Sequence, residues 1–291
     1  MSATFPQRLR AAVEKTGAPC VVGLDPRPQR LPRELFSPGG DPIPAIRDFH
    51  RFVLDEAAGL VPCVKPQAAF FEALGPEGFA LFHQTCRDAR ERGFLVIGDV
   101  KRGDIGSTAE AYAKAHFPSC DALTLNPYLG SDSLEPFFSW CREEGKGVFI
   151  LVRTSNKGNE FQPLPVGEGT LAEAVARAVR DWGDSEGMPA DPDSGYNPVG
   201  AVVGATHPGE IPRFRELLPR SWILLPGYGA QGGKASDLTP AFDGRGLGAL
   251  VNSSRGITAC FDPEDKDWRR AVGLAIRRFR EDIQRAREGS G

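Results

Sequence analysis

The sequence predicts an α/β protein of the (β/α)8 (TIM) barrel class, and two patterns support that prediction. Eight short runs of aliphatic and β-branched residues occur along the 291-residue chain, and a segment able to form a helix follows each of them. Continuous apolar runs, in place of alternating ones, are typical of parallel strands covered on both faces. Strand followed by helix, repeated eight times, is the pattern of a closed barrel. We therefore expect residues 1–291 to form one barrel domain.

The predicted strands each end in polar or glycine residues, where a strand gives way to a loop. In chain order they are CVVGLD (20–25), VPCVK (61–65), FLVIGDVK (94–101), DALTLN (121–126), GVFILVRTS (147–155), VGAVVGAT (199–206), WILLPG (222–227) and LGALVNSSR (247–255). The last helix, DPEDKDWRRAVGLAIRRF, offers Asp262 as its N-cap and Pro263 in its first turn. Five apolar residues follow along one face and should complete the outer ring: Trp268, Val272, Ile276, Phe279 and Ile283.

Two stretches rich in Gly, Pro and polar residues interrupt this pattern. NKGNEFQPLPVG (156–167) directly follows the fifth predicted strand, where barrel loops carry function, so it is a candidate lid. DWGDSEGMPADPDSGYNP (181–198) precedes a strand, and we interpret it as an inert surface insertion.

Composition and charge favour a small-molecule partner. The chain is 41% hydrophobic and 25% charged, which is ordinary for a globular protein. Its net charge of -3 leaves no electrostatic footprint for nucleic acid or for an anionic membrane, so a bound anion needs a local site. The N-terminus has no apolar signal region, and no apolar stretch approaches the ~20 residues of a membrane span. We expect a soluble cytoplasmic protein.

Cysteine and histidine residues show no metal-binding or redox pattern. The six cysteines form no CxxC pair and are expected to be reduced core residues. The four histidines lack metal-ligand spacing, so no metal site is predicted. We expect His50, His83 and His116 on solvated helix faces, whereas His207 follows a strand end and could touch a site.

Charged residues cluster where the first three strands end. GDVKRGDIGSTA (98–109) brings Asp99, Lys101 and Asp104 together directly after an apolar strand, while Asp25 and Lys65 end the two strands before it. Side chains two residues apart on a strand share a face, so Asp99 and Lys101 should both point inward and converge with Asp25 and Lys65. One such charge is as readily a rim salt bridge as a functional group. Four charges at three strand ends favour a functional site, because barrel enzymes carry their chemistry there.

The segment after these charges should begin a helix, with Ser107 or Thr108 near its N-terminus. A lysine between carboxylates is held as an ammonium, which argues against Lys101 forming an imine, since that requires a neutral amine. A fixed cation suits the stabilisation of a developing carbanion and its protonation.

Glycine-rich loops after the last two strands predict a phosphate site. LLPGYGAQGG (224–233) and NSSRG (252–256) stand where barrel enzymes often bind phosphate through backbone N–H groups. Arg255 would add a guanidinium. Tight turns also need glycine, so either loop taken alone is weak evidence.

These motifs together resemble the orotidine 5'-phosphate decarboxylase family. The D-x-K-x-x-D-I core of FLVIGDVKRGDIGSTA looks like the family signature, and VVGLDPRP, VKPQAAFFE, RTSN, VGATHP, LLPGYGAQGG and VNSSRGI resemble the other family blocks in the family's order, over residues 20 to 256. The match is to the longer, bacterial-type subgroup. Tyr228 and the insertion at about 181–198 differ from shorter members of the family.

The resemblance implies a cofactor-free carboxy-lyase that converts orotidine 5'-phosphate to UMP and CO2 in de novo pyrimidine biosynthesis. Lys101 would donate the proton to C6 within a charged network of Lys65, Asp99, Lys101 and Asp104. Asp104, with Ile105 and Thr108, would complete the neighbouring subunit's site in a homodimer.

The resemblance also implies the residues that bind the substrate. Asp25 would bind the ribose with help from Lys65 and Thr108, and Ser155 would contact the pyrimidine. Gln231 and Arg255 would hold the phosphate beside the backbone of Pro226 and Gly227. The resemblance assigns no role to Asn126, Arg153 or His207.

Three other interpretations stay open. Relatives with the same barrel and a similar D-x-K motif act on sugar phosphates with a bound divalent metal, which a chelator would remove. An imine-forming aldolase would leave a borohydride-trapped adduct on Lys101. A non-enzymatic phosphate-ligand sensor would be expected to have lost one charge of the network, and none is missing here.

Overall fold

The eight predicted apolar runs are the strands of a closed parallel barrel, which confirms the predicted (β/α)8 class. The computed structural model describes residues 3–229 and 234–289. In chain order the barrel strands are β1 Cys20–Leu24, β2 Cys63–Pro66, β3 Leu95–Arg102, β4 Ala122–Leu125, β5 Gly147–Arg153, β8 Asn197–Val203, β9 Ser221–Pro226 and β10 Ala249–Ser253. The barrel closes where β1 pairs with β10. A two-stranded hairpin, β6 Pro165–Val166 and β7 Gly169–Thr170, lies outside it.

Helices alternate with the strands around the barrel. They are α1 Phe5–Thr16, α2 Pro42–Ala57, α3 Ala68–Glu72, α4 Gly75–Glu91, α5 Gly106–His116, α6 Glu135–Glu144, α7 Leu171–Gly183, α8 Ile211–Leu217, α9 Arg255–Thr258 and α10 Trp268–Glu288. Short 3₁₀ helices occupy Pro28–Arg30, Arg33–Leu35, Ser131–Ser133, Pro208–Glu210 and Ala235–Ala241. Within residues 3–229 and 234–289, every helix is too short or too polar to traverse a lipid bilayer.

Helix α1 closes the N-terminal end of the barrel, and the sequence analysis does not predict it. Its apolar face, Phe5, Leu9 and Val13, belongs to the same buried cluster as inward-facing strand residues such as Val21 and Phe149. The Phe5 ring lies edge-on to Phe149, with ring centres 6.1 Å apart. A binding site inside the barrel is therefore open only at the opposite end, where the strands finish.

Helix α10 has the predicted apolar face but begins later than predicted. The five residues from Trp268 to Ile283 named above are buried in the core. Asp262 is not the N-cap, because its Oδ1 accepts from the backbone N–H of Glu264 at 2.9 Å and so closes a turn. A second turn at Asp265 follows, and the helix starts only at Trp268. Trp268 fixes that start, since its Nε1 donates to Glu34 at 2.8 Å.

The stretch between α7 and β8 is anchored at the closed end of the barrel. Asp191 is fully buried and accepts a hydrogen bond from Arg10 of α1 at 2.8 Å, while Asp193 accepts another from the same guanidinium at 2.5 Å. The segment is thus held against α1, away from the strand ends that face the open side.

Cysteine burial agrees with the prediction at five positions and contradicts it at one. Cys20, Cys63, Cys86, Cys120 and Cys141 are buried and unpaired. Cys260 is exposed, because it follows the short helix α9 on the surface. The expectation that all six belong to the core is wrong for Cys260.

Two histidines expected on solvated helix faces are buried. His50 of α2 packs between Phe49 and Phe71, and His116 of α5 stacks on the half-buried His83 at 5.9 Å. The helix assignments are right, but the tertiary packing turns these faces inward. Burial lowers the pKa of His50 to about 3 and that of His116 to about 4.

Replacing His50 with phenylalanine should make the fold less sensitive to acid. An unfolded histidine binds a proton below about pH 6.5, whereas folded His50 stays neutral until about pH 3, so stability is lost as the pH falls through that window. Each pH unit costs about 1.4 kcal/mol. Urea unfolding at pH 7 and pH 5 should show wild type losing about 2 kcal/mol more than His50→Phe. Equal losses would contradict a neutral buried imidazole.

Candidate active site

Three charged side chains meet at the open end of the barrel. Asp99 lies at the centre: its Oδ2 accepts from Lys65 Nζ at 2.6 Å and its Oδ1 from Lys101 Nζ at 2.5 Å. Lys65 lies one residue before the end of β2, and the other two come from the last four residues of β3. Three of the four strand-end charges predicted to converge thus form one linked cluster, and the fourth, Asp25, lines a cavity together with Lys65 and Asp99.

Two neutral side chains complete the hydrogen bonding of the Asp99 carboxylate. Gln67 donates from Nε2 to Oδ2 at 2.9 Å, and the Thr124 hydroxyl donates to Oδ1 at 3.0 Å. Each carboxylate oxygen therefore accepts one ammonium and one neutral donor. A buried carboxylate with four donors has little freedom to rotate, so it fixes the position of both lysines.

The cluster holds its ionised state strongly. Burial on its own favours the protonated acid, but the charges of Lys65 and Lys101 and their hydrogen bonds outweigh it, so the pKa of Asp99 lies well below its usual range. Burial likewise favours neutral Lys65, yet the negative charges of Asp99 and Asp25 raise its pKa above the ordinary value. A buried ion pair with these partners stays charged throughout the physiological pH range.

Lys101 has an unusual backbone conformation that aims its side chain. Its φ is +46°, which makes it the sole non-glycine residue with positive φ in the part of the chain that the structure describes. The pairing of β3 with β4 shifts register between Gly98 and Arg102, and the Lys101 N–H donates to the Thr124 hydroxyl at 3.0 Å. Strained backbone of this kind costs roughly 1–3 kcal/mol and is concentrated at functional sites. The side chain is 45% exposed, so its amine faces the open space above Asp99.

Two adjoining cavities meet at this cluster. A polar cavity of about 340 Å³ is lined by Asp25, Arg27, Asn252, Ser254 and Arg255 together with Lys65 and Asp99 of the cluster. An apolar cavity of about 400 Å³ is lined by Leu151, Val202 and Leu224 together with Lys101 and Thr124. Lys65, Asp99, Ser155 and Pro226 line both. The site suits a ligand with a charged end, a flat apolar end and a reacting centre between them.

The polar cavity contains groups able to hold hydroxyls and an anion. Asp25 Oδ1 is buried and has no hydrogen-bond partner among the described residues, so it is free to accept from a ligand. Gly227 and Gly229 have φ of +102° and +72°, values that favour glycine and shape the loop after β9. Arg255 lines the same cavity. Gln231 lies outside the described residues, so its predicted phosphate contact has no structural description.

Ser155 is placed at the junction of the two cavities by its neighbours. A Cβ built on Gly204 would lie 3.0 Å from the Cα of Ser155, so glycine at that position allows the loop after β5 to approach closely. The preceding Thr154 is held by Gln162, whose Oε1 accepts from the Thr154 N–H at 2.9 Å and whose Nε2 donates to its hydroxyl at 2.7 Å. Asn159 donates to the Thr154 carbonyl at 3.1 Å.

Arg153 and His207, which had no assigned role, make hydrogen bonds beside the loop after β5. The buried Arg153 guanidinium donates two hydrogen bonds to Glu210, at 2.8 and 3.1 Å. His207 Nε2 lies 3.1 Å from the Asn159 amide. The candidate lid is thereby tied to the segment after β8 by polar side chains.

Asp104, Ile105 and Thr108 stand in the segment that follows β3. None of the three lines either of the two cavities described above. Asp104 Oδ1 accepts from the Ile105 N–H at 2.9 Å, and Ile105 is 58% exposed. Helix α5 begins after Ile105, so Ser107 and Thr108 stand in its first turn and neither hydroxyl caps it.

Sequence reasoning missed the neutral residues that complete the site. Gln67 and Thr124 hydrogen-bond to Asp99, and Leu151, Val202 and Leu224 form the apolar wall. Thr124 could have been found as the one polar residue inside an otherwise apolar strand. Nothing local distinguishes the three apolar residues from the rest of the core. Within the described ranges, no group of three or more His, Cys, Asp or Glu side chains is arranged to hold a metal ion.

Comparison with known proteins gives a consistent result. Residues 20–266 match the profile of the Orotidine 5'-phosphate decarboxylase / HUMPS family. The orotidine 5'-phosphate decarboxylase of Rhodopirellula baltica is 43% identical over 97% of this chain and 99% of its own length, and that of Deinococcus radiodurans is 44% identical over 88% and 90%. The structure of Leishmania donovani OMP decarboxylase superposes with a TM-score of 0.78 at 33% identity, covering 98% of this chain and 99% of that one.

Proposed function

The chain belongs to the orotidine 5'-phosphate decarboxylase / HUMPS family and is a carboxy-lyase, and on that premise we propose that it converts orotidine 5'-phosphate to UMP and CO2 without a cofactor. The reaction would serve de novo pyrimidine biosynthesis in the cytoplasm. The observation that carries the proposal is the Lys65–Asp99–Lys101 cluster at the junction of the polar and apolar cavities. That is where C6 of the pyrimidine would lie.

The chemistry follows from the order of charges in the cluster. The bond between C6 and its carboxylate breaks, CO2 leaves, and the bonding electron pair remains on C6. Lys101 transfers a proton from Nζ to C6, and solvent then returns a proton to the amine. Asp99, whose charge is fixed by two lysines, would lie beside the substrate carboxylate and repel it. The site is therefore more complementary to negative charge on C6 than to negative charge on the substrate carboxylate.

The two cavities accommodate the rest of the nucleotide. Arg255, Gln231 and the backbone around Pro226 and Gly227 would bind the 5'-phosphate at the far end of the polar cavity. Asp25, with its unpaired buried oxygen, would accept the ribose hydroxyls with help from Lys65. The base would lie in the apolar cavity, where Ser155 would contact it. Binding the phosphate far from C6 lets remote binding energy assist the chemical step.

A second subunit would complete each site. Asp104 lines neither cavity of its own chain's site, and the exposed Ile105 beside it supplies apolar surface for a partner. We therefore propose a homodimer in which Asp104, Ile105 and Thr108 extend the neighbouring site.

The decisive experiment follows the loss of orotidine 5'-phosphate absorbance by purified protein with a chelator present and no added cofactor. We expect turnover to be unaffected by the chelator. Abolished turnover would favour the metal-dependent relatives on this barrel. A borohydride-trapped adduct on Lys101 with a carbonyl substrate would instead favour an aldolase.

Shared sites predict complementation between two inactive variants. Lys101→Ala and Asp104→Ala remove groups that would stand in the same site but come from different subunits. A mixed dimer then contains one intact site, so co-refolded protein should recover about a quarter of wild-type activity if dimers assemble at random. Absence of recovery, with subunit exchange verified by mass spectrometry, would argue for sites built from one chain.

Gln162 is expected to be a positioning residue for the pyrimidine contact. Gln162→Ala removes the amide that holds Thr154 beside Ser155, so we expect kcat/KM to fall about tenfold, mainly through KM. Gln162→Glu keeps the acceptor for the Thr154 N–H and should recover part of the loss. Gln284→Ala, on the exposed surface of α10, is the matched control. If Gln162→Ala leaves KM unchanged, and Gln162→Ala and Gln162→Glu lower the unfolding temperature by the same amount, the role of Gln162 is purely structural.

A further inference from the structure

A third cavity adjoins the proposed phosphate site. It has a volume of about 190 Å³ and lies between the loop after β1 and helix α9. Arg27, Arg30, Arg255 and Thr258 contribute to its lining, and it shares Asp25, Arg27 and Arg255 with the polar cavity. The volume far exceeds the ~10–15 Å³ that a single water needs. Because the two cavities share three lining residues, this space lies beside any ligand bound in the polar cavity.

The loop after β1 and helix α9 supply the arginines of this cavity. Arg27 is the extended residue before the 3₁₀ helix Pro28–Arg30, and Arg30 is the last residue of that helix. The Arg27 guanidinium is held over the Phe70 ring at 4.6 Å. Arg255 is the first residue of helix α9.

The cavity carries more positive charge than one phosphate monoester requires. Within residues 3–229 and 234–289, none of these three arginines forms an ion pair with a carboxylate, whereas the nearby Arg33 pairs with Glu264 at 3.7 Å. Asp25 is the single carboxylate in the lining. One guanidinium can donate two hydrogen bonds to a single phosphate, so Arg255 with the backbone at Pro226 and Gly227 suffices for the first phosphate. Arg27 and Arg30 remain for a second anionic group.

We propose that this cavity is a second anion subsite, which receives the β-phosphoryl group of a nucleoside 5'-diphosphate whose α-phosphate occupies the Arg255 site. The inference rests on the proposed function for the position of that first phosphate. A pyrimidine nucleoside diphosphate would then occupy the substrate site and compete with substrate, held by a contact that neither the substrate nor UMP makes.

The test measures the affinities of UMP and UDP by calorimetry and by competition with substrate. In wild type we expect UDP to bind about tenfold more tightly than UMP, the ratio given by one additional charge-assisted hydrogen bond. Arg30→Gln should remove that preference while leaving the affinity for UMP and kcat unchanged. Arg33→Gln, on the adjacent 3₁₀ helix and outside the cavity, should behave as wild type.

The outcomes separate this inference from the proposed function. The subsite alone is overturned if wild type binds UMP and UDP with equal affinity. It is also overturned if Arg30→Gln keeps the preference for UDP, or if that variant loses affinity for UMP and UDP to the same extent. Failure of wild type to bind UMP at all overturns the proposed function and the subsite with it.

Discussion

Lys101→Ala is expected to lower kcat/KM for orotidine 5'-phosphate on the order of 10⁴-fold, because under the proposed function it removes both the proton donor and the cation beside the forming carbanion. The amine is fixed by its 2.5 Å contact with Asp99 and by a strained backbone that no other described non-glycine residue shares. Steady-state kinetics and the affinity for UMP should be measured together. The affinity for UMP should change far less than kcat, since the lost interaction belongs to the transition state.

The controls for Lys101→Ala distinguish chemistry from folding. Lys15→Ala changes an exposed lysine on α1, at the closed end of the barrel, and should leave kinetics unaltered. The circular dichroism spectrum of Lys101→Ala should match that of wild type, because Lys65, Gln67 and Thr124 still donate to Asp99, and the unfolding midpoint should fall only slightly, because the lost ion pair is made by a half-exposed lysine. Residual activity within tenfold of wild type would exclude Lys101 as the proton donor.

Asp99→Asn is expected to damage both activity and stability. The substitution leaves Lys65 buried without its nearest counter-charge, and breaking a buried pair in this way costs about 3–5 kcal/mol. We expect kcat to fall by about 10³-fold, because the two ammonium groups lose the carboxylate that orients them. Urea unfolding and steady-state kinetics test the two effects separately. Asp55→Asn, on an exposed ion pair with Arg92, should change stability by less than about 0.5 kcal/mol.

The stability cost of Asp99→Asn should depend on pH with a definite sign. The pKa of Asp99 is depressed in the folded chain, so its stabilising contribution is complete above the unfolded value of about 3.9 and is lost as the pH falls below it. The difference between wild type and variant should therefore stay constant from pH 7 to pH 5 and shrink below about pH 4. A difference that grows on acidification would contradict an ionised Asp99.

The parts of the fold that local pattern determines were predictable. Each of the eight apolar runs is a barrel strand, because short continuous runs of β-branched and aliphatic residues are typical of strands buried on both faces. The apolar spacing on α10 also specified the buried face, but its first residue depended on two aspartate turns and on a tryptophan that hydrogen-bonds to Glu34, 234 positions away. Contacts of that range have no local signature.

The charged part of the candidate site was predictable for the same reason, and the neutral part was not. Strand ends of a parallel barrel share one rim, so Asp25, Lys65, Asp99 and Lys101 could be brought together from topology alone. Gln67, Thr124 and Gln162 act through hydrogen bonds whose geometry exists only in the folded chain. The positive φ of Lys101 likewise follows from a register shift against β4 that residue types do not encode.

Helix α1 closes the N-terminal end of the barrel, so the candidate active site opens at the opposite end. Phe5 presses on Phe149 and on the start of β5, so no second passage opens through that side. Under the proposed function, substrate and product would share the opening at the strand ends, beside the loop that Gln162 and Asn159 hold. A bound product molecule would then block the next substrate molecule simply by occupying that opening.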